Sequence, residues 1–289
     1  MKFVNLVSLV SLATTTFAHG GIYTYNIGDK VYQGNPWHTF DYGDGNTTGI
    51  PPDVPSIQRR WYFWPVYDIL GANITCNWDG ASTSQALHAP IAAGTNITAH
   101  YDVRQFNLTS VGQTAWSHAA GPLLAYMARC PGESCEGFDG SGAVWFKIAQ
   151  YGLQPSATTL EGPWWQWDLI GDPGYNSFPS YDGFSVTIPE SLKAGSYLIR
   201  HEVIMLASGP QSGSPGTAQF YPECAQLNVT GGGDNFPSDE YLVSFPGAYK
   251  PTDPGIILAD WSIEELPVAP QYNTTDYVFP GPEVWTGLE

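Results

Sequence analysis

Residues 197–205 read YLIRHEVIM and alternate with period two. Tyr197, Ile199, His201, Val203 and Met205 fall on one side of an extended chain, and Leu198, Arg200, Glu202 and Ile204 on the other, because successive side chains of a strand point to opposite faces. His201 therefore sits among apolar neighbours, unlike a solvated histidine. Other short runs rich in β-branched and aromatic residues occupy 96–103, 143–150, 184–188 and 225–230. Leu123–Met127 (LLAYM) reads as a buried strand. The 24 prolines and 32 glycines are scattered between these runs rather than pooled in a linker. Many short strands with frequent turn signals and no long amphipathic helix predict an immunoglobulin-like antiparallel β-sandwich, all-β, with long loops carrying short helices. In AQFYPEC, residues 218–224, Gln219 and Tyr221 share a face, and Pro222, which cannot donate to a ladder, predicts a strand end or edge. The proline-rich tail from Phe245 onward is expected to wrap the sandwich as an extended segment.

The chain opens MKFVNLVSLVSLATTTFAHGG. A lysine, a short apolar core and the small-x-small triplet ending at Ala18 have the form of a secretory signal peptide, too short for a membrane span. The expected organisation is a signal peptide over 1–18 and a single domain over 19–289, with no appended carbohydrate-binding module, in a secreted, extracellular protein. Cleavage after Ala18 makes His19 the new N-terminus. Such a residue carries an α-amine and an imidazole that together close a chelate ring, and the amine, with a pKa of about 8, yields its proton to a metal near neutral pH.

The formal charge is −17, with only 10 lysines and arginines and no basic patch. That excludes nucleic acid and anionic membranes as partners and favours a neutral polymer. Aromatic residues make up 14% of the chain, including 11 Trp and 17 Tyr, which suits stacking on sugars as well as packing a core. The four cysteines allow three pairings. The Pro-Gly turn in RCPGESCEG makes Cys130–Cys135 the simplest local bridge and leaves Cys76 with Cys224. Sequons at Asn46, Asn73, Asn96, Asn107, Asn228 and Asn273 are candidate glycosylation sites.

No G-x-S-x-G elbow, H-E-x-x-H, C-x-x-C or phosphate loop is present. The 27 acidic residues keep a carboxylate-pair glycoside hydrolase open as an alternative, and a non-catalytic carbohydrate-binding or expansin-like protein is another. His118 lies in a loop ahead of the Leu123 strand. Together with an N-terminal histidine and Tyr221 it makes three nitrogens and a phenol, a donor set that suits copper.

At this point the residues resemble a known family, the fungal lytic polysaccharide monooxygenases of auxiliary activity family nine, once classed as glycoside hydrolases. The anchors are HGGI at His19, SHAAGPLLAYMARC around His118, VWFKI at 144–148, IRHEVIML around His201, AQFYPECAQLNVTGGG around Gln219 and Tyr221, and LVSFPGAYKPTDPGI at 242–256. The resemblance implies one copper ion per chain, held by His19 through its amine and ring, by His118, and by Tyr221 in a distant axial position. It implies that Gln219 and His201 surround the metal and steer protonation there, and that Tyr277 in DYVFPGP meets the polysaccharide. The stretch 37–64 offers further aromatic contacts. The implied reaction is oxidative cleavage of β-1,4-glucan, cellulose first and hemicellulose as a further substrate class. Hydroxylation next to the glycosidic bond uses dioxygen or hydrogen peroxide and an external electron donor, and the protein is expected to be a monomer. The family's disulfides map onto Cys76–Cys224 and Cys130–Cys135. One departure is local: the family usually places one residue between the second histidine and Gly-Pro, whereas here Ala119 and Ala120 intervene.

Overall fold

The computed structural model describes residues 20–36, 53–102, 116, 118–160, 162–169, 183–206, 218–257 and 274–288. Nine strands are found among them: β1 (Gly21–Ile27), β2 (Lys30–Gln33), β3 (Ala89–Ala92), β4 (Asn96–Asp102), β5 (Leu123–Arg129), β6 (Trp145–Tyr151), β7 (Phe184–Thr187), β8 (Gly195–Met205) and β9 (Gln219–Thr230). They form two sheets, ordered β2-β1-β4-β7 and β3-β9-β8-β5-β6. All pairings are antiparallel except β3 with β9. Among the described residues helical structure is confined to short segments such as Pro254–Ile257.

The alternation in β8 sorts its side chains between two cores. Tyr197, Ile199, Val203 and Met205 join Ile22, Tyr25, Ile97, Phe184 and Tyr221 between the sheets. Leu198 and Ile204 face outward into a second cluster with Phe220, Phe245 and Tyr249, so the five-stranded sheet is covered on both sides. The outward Arg200 and Glu202 are fully buried and pair at 2.6 Å. Arg200 also donates to the carbonyls of Ile74 and Thr75, and Tyr249 donates to Glu202. Burying both charges costs several kcal/mol per ion before pairing, so these surrounding bonds are needed to satisfy the remaining donors and acceptors. They fasten the tail onto the sheet, and further along Trp285 bonds Lys147 and enters the inner core. The described parts of the tail do wrap the sandwich.

Both expected disulfides are present, Cys76–Cys224 and Cys130–Cys135. Pro222 departs from expectation in part. It lies inside the continuous twelve-residue β9, opposite Glu202 on β8, rather than at a strand end. On its other side β9 pairs with β3 only from Leu227 onward, and nearer Pro222 it meets isolated bridges, Gln58 with Ala225 and Val66 with Phe220. Pro222 falls between these two bridges, where no ladder needs its missing N–H.

Candidate metal centre

Three register pairs set the level of the site. Leu123 pairs with both Tyr151 and Val203, and Val203 pairs with Tyr221, so Tyr151, Leu123, Val203 and Tyr221 form one row across β6, β5, β8 and β9. Just before β5 the chain is stitched to the end of β8: Ile204 N donates to Pro122 O at 3.1 Å and Leu206 N to Ala120 O at 2.9 Å. Gly121 passes this point with φ of 131°, and a Cβ there would stand 2.0 Å from Ile204 O, so only glycine fits. The two alanines are thus absorbed in a fixed crossing, and His118 is delivered beside Tyr221.

His118 Nε2 lies 2.8 Å from Tyr221 Oη, and Tyr221 donates to Gln219 Oε1 at 2.7 Å. A phenol has one proton, and here it goes to Gln219, so the His118–Tyr221 bond takes its proton from Nε2. All three residues are buried or nearly so. Burial, and secondarily Tyr67, push the Tyr221 phenol well above its usual range, which keeps it neutral at ordinary pH. Behind them the fully buried Trp116 makes edge-to-face contacts with His118 (5.3 Å), Tyr221 (5.0 Å) and Tyr101 (5.2 Å).

The start of β1 is anchored to the same strand. Ile22 N donates to both carboxylate oxygens of Glu223, at 3.1 and 3.0 Å. Gln58 Nε2 donates to Glu223 Oε2 at 2.5 Å and to Ile22 O at 3.0 Å, while Gln58 Oε1 accepts from Asn35 N at 2.7 Å. Glu223 is fully buried, two residues from Tyr221 on the same face of β9. Burial raises its pKa well above the carboxylate range, against the opposing pull of the Ile22 and Gln58 bonds.

The structure brings together His118, Tyr221 and Gln219 but leaves two other candidates elsewhere. His201 shares their face but sits one level deeper, opposite Glu223. Its ring packs against Tyr25 (5.9 Å) and Phe184 (5.1 Å) between the sheets, and neither ring nitrogen has a hydrogen-bond partner among the described residues. Burial lowers its pKa to about 3. It is a core residue, not part of the His118 cluster, because Val203 occupies the level of Tyr221. Tyr277 is half-buried rather than presented as a free ring: its hydroxyl donates to Gly255 O at 3.0 Å, and its ring stands on Trp164 at 5.0 Å. A residue that sequence reasoning missed is Tyr67, 47% exposed and close enough to influence the Tyr221 phenol. The Val66–Phe220 bridge brings it there, and no local motif signals that contact.

His19, the stretch 37–52 and the sequons at Asn46, Asn107 and Asn273 lie outside the described residues. Asn96 and Asn228 are exposed on β4 and β9, and Asn73 is half-buried. Among the described residues no group of three or more His, Cys, Asp or Glu side chains is placed to hold a metal. The site's described donors are one imidazole nitrogen and one phenol. All four cysteines are in disulfides, so a nitrogen- and oxygen-binding metal fits this set and a thiolate-binding one does not.

The model of Auxiliary Activity family 9 (formerly GH61) matches residues 19–272. The chain belongs to this family, the lytic polysaccharide monooxygenases. It is 36% identical to AA9 family lytic polysaccharide monooxygenase B of Heterobasidion irregulare, over 99% of this chain and 100% of that protein. It is 34% identical to the AA9 family lytic polysaccharide monooxygenase-like protein CEL1 of Agaricus bisporus, over 98% of this chain and 77% of that one. Among solved structures it superposes on HiLPMO9B with a TM-score of 0.70 at 34% identity, covering 93% of this chain and 100% of that one. A cellulose-active polysaccharide monooxygenase from M. thermophila matches with a TM-score of 0.68 at 32% identity, covering 93% and 99%.

Proposed function

We propose that the mature protein starts at His19, is secreted, and acts as a single-copper monooxygenase that cleaves β-1,4-glucan, cellulose above all. The observation that carries the reading is the His118–Tyr221–Gln219 chain beside the anchored start of β1. Three residue steps separate His19 from the anchored Ile22, a reach of at most about 10 Å. Glu223 and Tyr221 are two residues apart, about 7 Å along a strand. Anchoring Ile22 on Glu223 therefore leaves the amine and ring of His19 within reach of Tyr221 and His118.

His19 and His118 would hold the metal through three nitrogens, with the Tyr221 phenol beside His118. Copper, cycled by an external reductant with dioxygen or hydrogen peroxide as co-substrate, would supply the oxidising power to hydroxylate a carbon beside the glycosidic bond. His118 would offer Nε2 to the metal, giving up the proton and the bond that this nitrogen shares with Tyr221. Tyr221 stays a neutral phenol, its proton directed to Gln219. Gln219 thereby fixes the phenol's orientation. Trp116 excludes water behind the imidazole and locks its ring plane. The negative surface leaves a neutral glucan unopposed, and the cellulose-active relative is consistent with that substrate.

The test is mass spectrometry of the secreted protein and of its products. The reading expects a chain beginning at His19, one copper per chain, and oxidised oligosaccharides from cellulose only when a reductant is present. A chain beginning elsewhere, or hydrolytic products without reductant, refutes it. His118→Ala separates an enzyme from a pure binder, because oxidative activity should vanish while polysaccharide binding persists.

A further inference from the structure

The short 3₁₀ helix Trp165–Leu169 exposes two tryptophans within three residues, Trp165 at 38% and Trp167 at 49%. Side chains of this size normally finish inside, and here the turn itself is firmly held. Gln166 between them is fully buried and donates from Nε2 to Ile204 O at 3.0 Å. Trp165 N donates to Gly152 O at 2.9 Å, and Leu169 and the preceding Trp164 are buried. Trp164 donates to Leu160 O and receives the edge of Tyr277. The display of two rings is therefore rigid, not a frayed segment.

Its location follows from the register. Gly152 and Ile204 are each one residue beyond the row Tyr151–Leu123–Val203–Tyr221. The turn thus sits against the same end of the five-stranded sheet as the His118–Tyr221 cluster. Trp165 lies 6.3 Å from the half-exposed ring of Tyr151 at the far end of that row. Three strand spacings, about 14 Å, separate Tyr151 from Tyr221.

We infer that Trp165 and Trp167 form a second carbohydrate-stacking subsite, which holds a distal stretch of the same polysaccharide engaged at His118 and Tyr221. The inference rests on the proposed glucan-cleaving function. Its chemistry is that of an indole: a flat apolar face for the C–H face of a pyranose and one N–H for a hydroxyl. A polyanion is disfavoured by the net charge of −17, which leaves a neutral glycan as the occupant. Tyr277 contributes by supporting Trp164, which carries the turn, rather than by stacking itself.

The experiment measures binding isotherms on microcrystalline cellulose for the copper-loaded wild type, Trp165→Ala/Trp167→Ala and Trp165→Phe/Trp167→Phe, with copper affinity and melting temperature recorded for each. The expected result is about tenfold weaker cellulose binding for the alanine pair, roughly the loss of one good stacking contact, with partial rescue by phenylalanine. Copper affinity and melting temperature should be unchanged. Wild-type binding by the alanine pair overturns the subsite, as does an equal loss in the alanine and phenylalanine pairs. The oxidised-product assay on the wild type is scored separately. Weakened binding by the alanine pair, beside a wild type that makes no oxidised products, supports the subsite and sinks the oxidative reading alone.

Discussion

Replacing Gly21 by alanine tests how the N-terminal strand is held. A Cβ at this position would stand 2.2 Å from Glu223 Oε1 and 2.4 Å from the Trp61 ring. Neither neighbour has room to move. Trp61 is nearly buried and donates to Asn35 O at 2.8 Å, and Glu223 is fully buried with both oxygens on Ile22 N. Overpacking of this kind costs about 1–3 kcal/mol. Pushing Glu223 off its donors leaves the buried Ile22 N–H without its partner, at about 1–3 kcal/mol. The expected loss is therefore about 4 kcal/mol, the opposite sign from a glycine-to-alanine change in open space, which stabilises by about 0.4–1 kcal/mol. Gly132 supplies that control, since a Cβ there meets nothing within 4 Å. In urea denaturation, with a slope of about 3 kcal/mol/M, the midpoint of Gly21→Ala should fall by about 1 M at unchanged slope. Copper affinity measured by calorimetry should fall at least tenfold, because the anchored strand sets where His19 is delivered. A wild-type midpoint and wild-type copper affinity would refute the clamp.

Three further outcomes are expected. Tyr221→Phe leaves the buried His118 Nε2 and Gln219 Oε1 without their shared partner and should cost the metal-free protein about 1–3 kcal/mol in denaturant. Copper loading should narrow that gap in melting temperature, since the metal takes the imidazole nitrogen; an unchanged gap would count against His118 as a ligand. Serine replacement of Cys76 and Cys224 should cost about 5 kcal/mol and of Cys130 and Cys135 about 2 kcal/mol in the chain-entropy treatment, read by urea denaturation. His201→Phe should flatten the acid limb of stability. The folded imidazole titrates near pH 3 and the unfolded one near 6.5, so between these values the unfolded chain binds more protons and wild-type stability falls as pH drops. At pH 5 that loss is about 2 kcal/mol, at about 1.4 kcal/mol per pH unit. Glu223, opposite His201, has a raised pKa and slopes the other way, but it does so in both proteins. Parallel acid limbs would show that His201 is not held neutral.

The contrast between His201 and Tyr221 shows where sequence reading stops. Period-two alternation sorted His201 with its apolar neighbours and Tyr221 with Gln219, each onto one face of its strand, because side-chain direction is a local property of an extended backbone. Level along the strand is not local. It depends on the β8–β9 register, which sets Val203 against Tyr221 and His201 against Glu223, a shift of one layer that moves a histidine from the site into the core. The same distinction covers the remaining misses. Pro222 marked an unpaired strand flank, but whether β9 ran on past it was decided by β8 on the other side. Tyr67 reaches the site through a bridge to a distant strand, and Gln58 and Glu223 act on backbone groups of Ile22 and Asn35, so no spacing of side chains announces them. Gly121 and the turn after His118 fall between these cases. Gly-Pro signalled a loop, but the close approach of Ile204 O that makes glycine obligatory exists only once β5 and β8 have paired. The fold was legible because strand periodicity and cysteine spacing are carried by neighbours in sequence. Within the site, the residues readable in advance were those matching a family motif, and the parts that hold them in place are backbone contacts created by the fold itself.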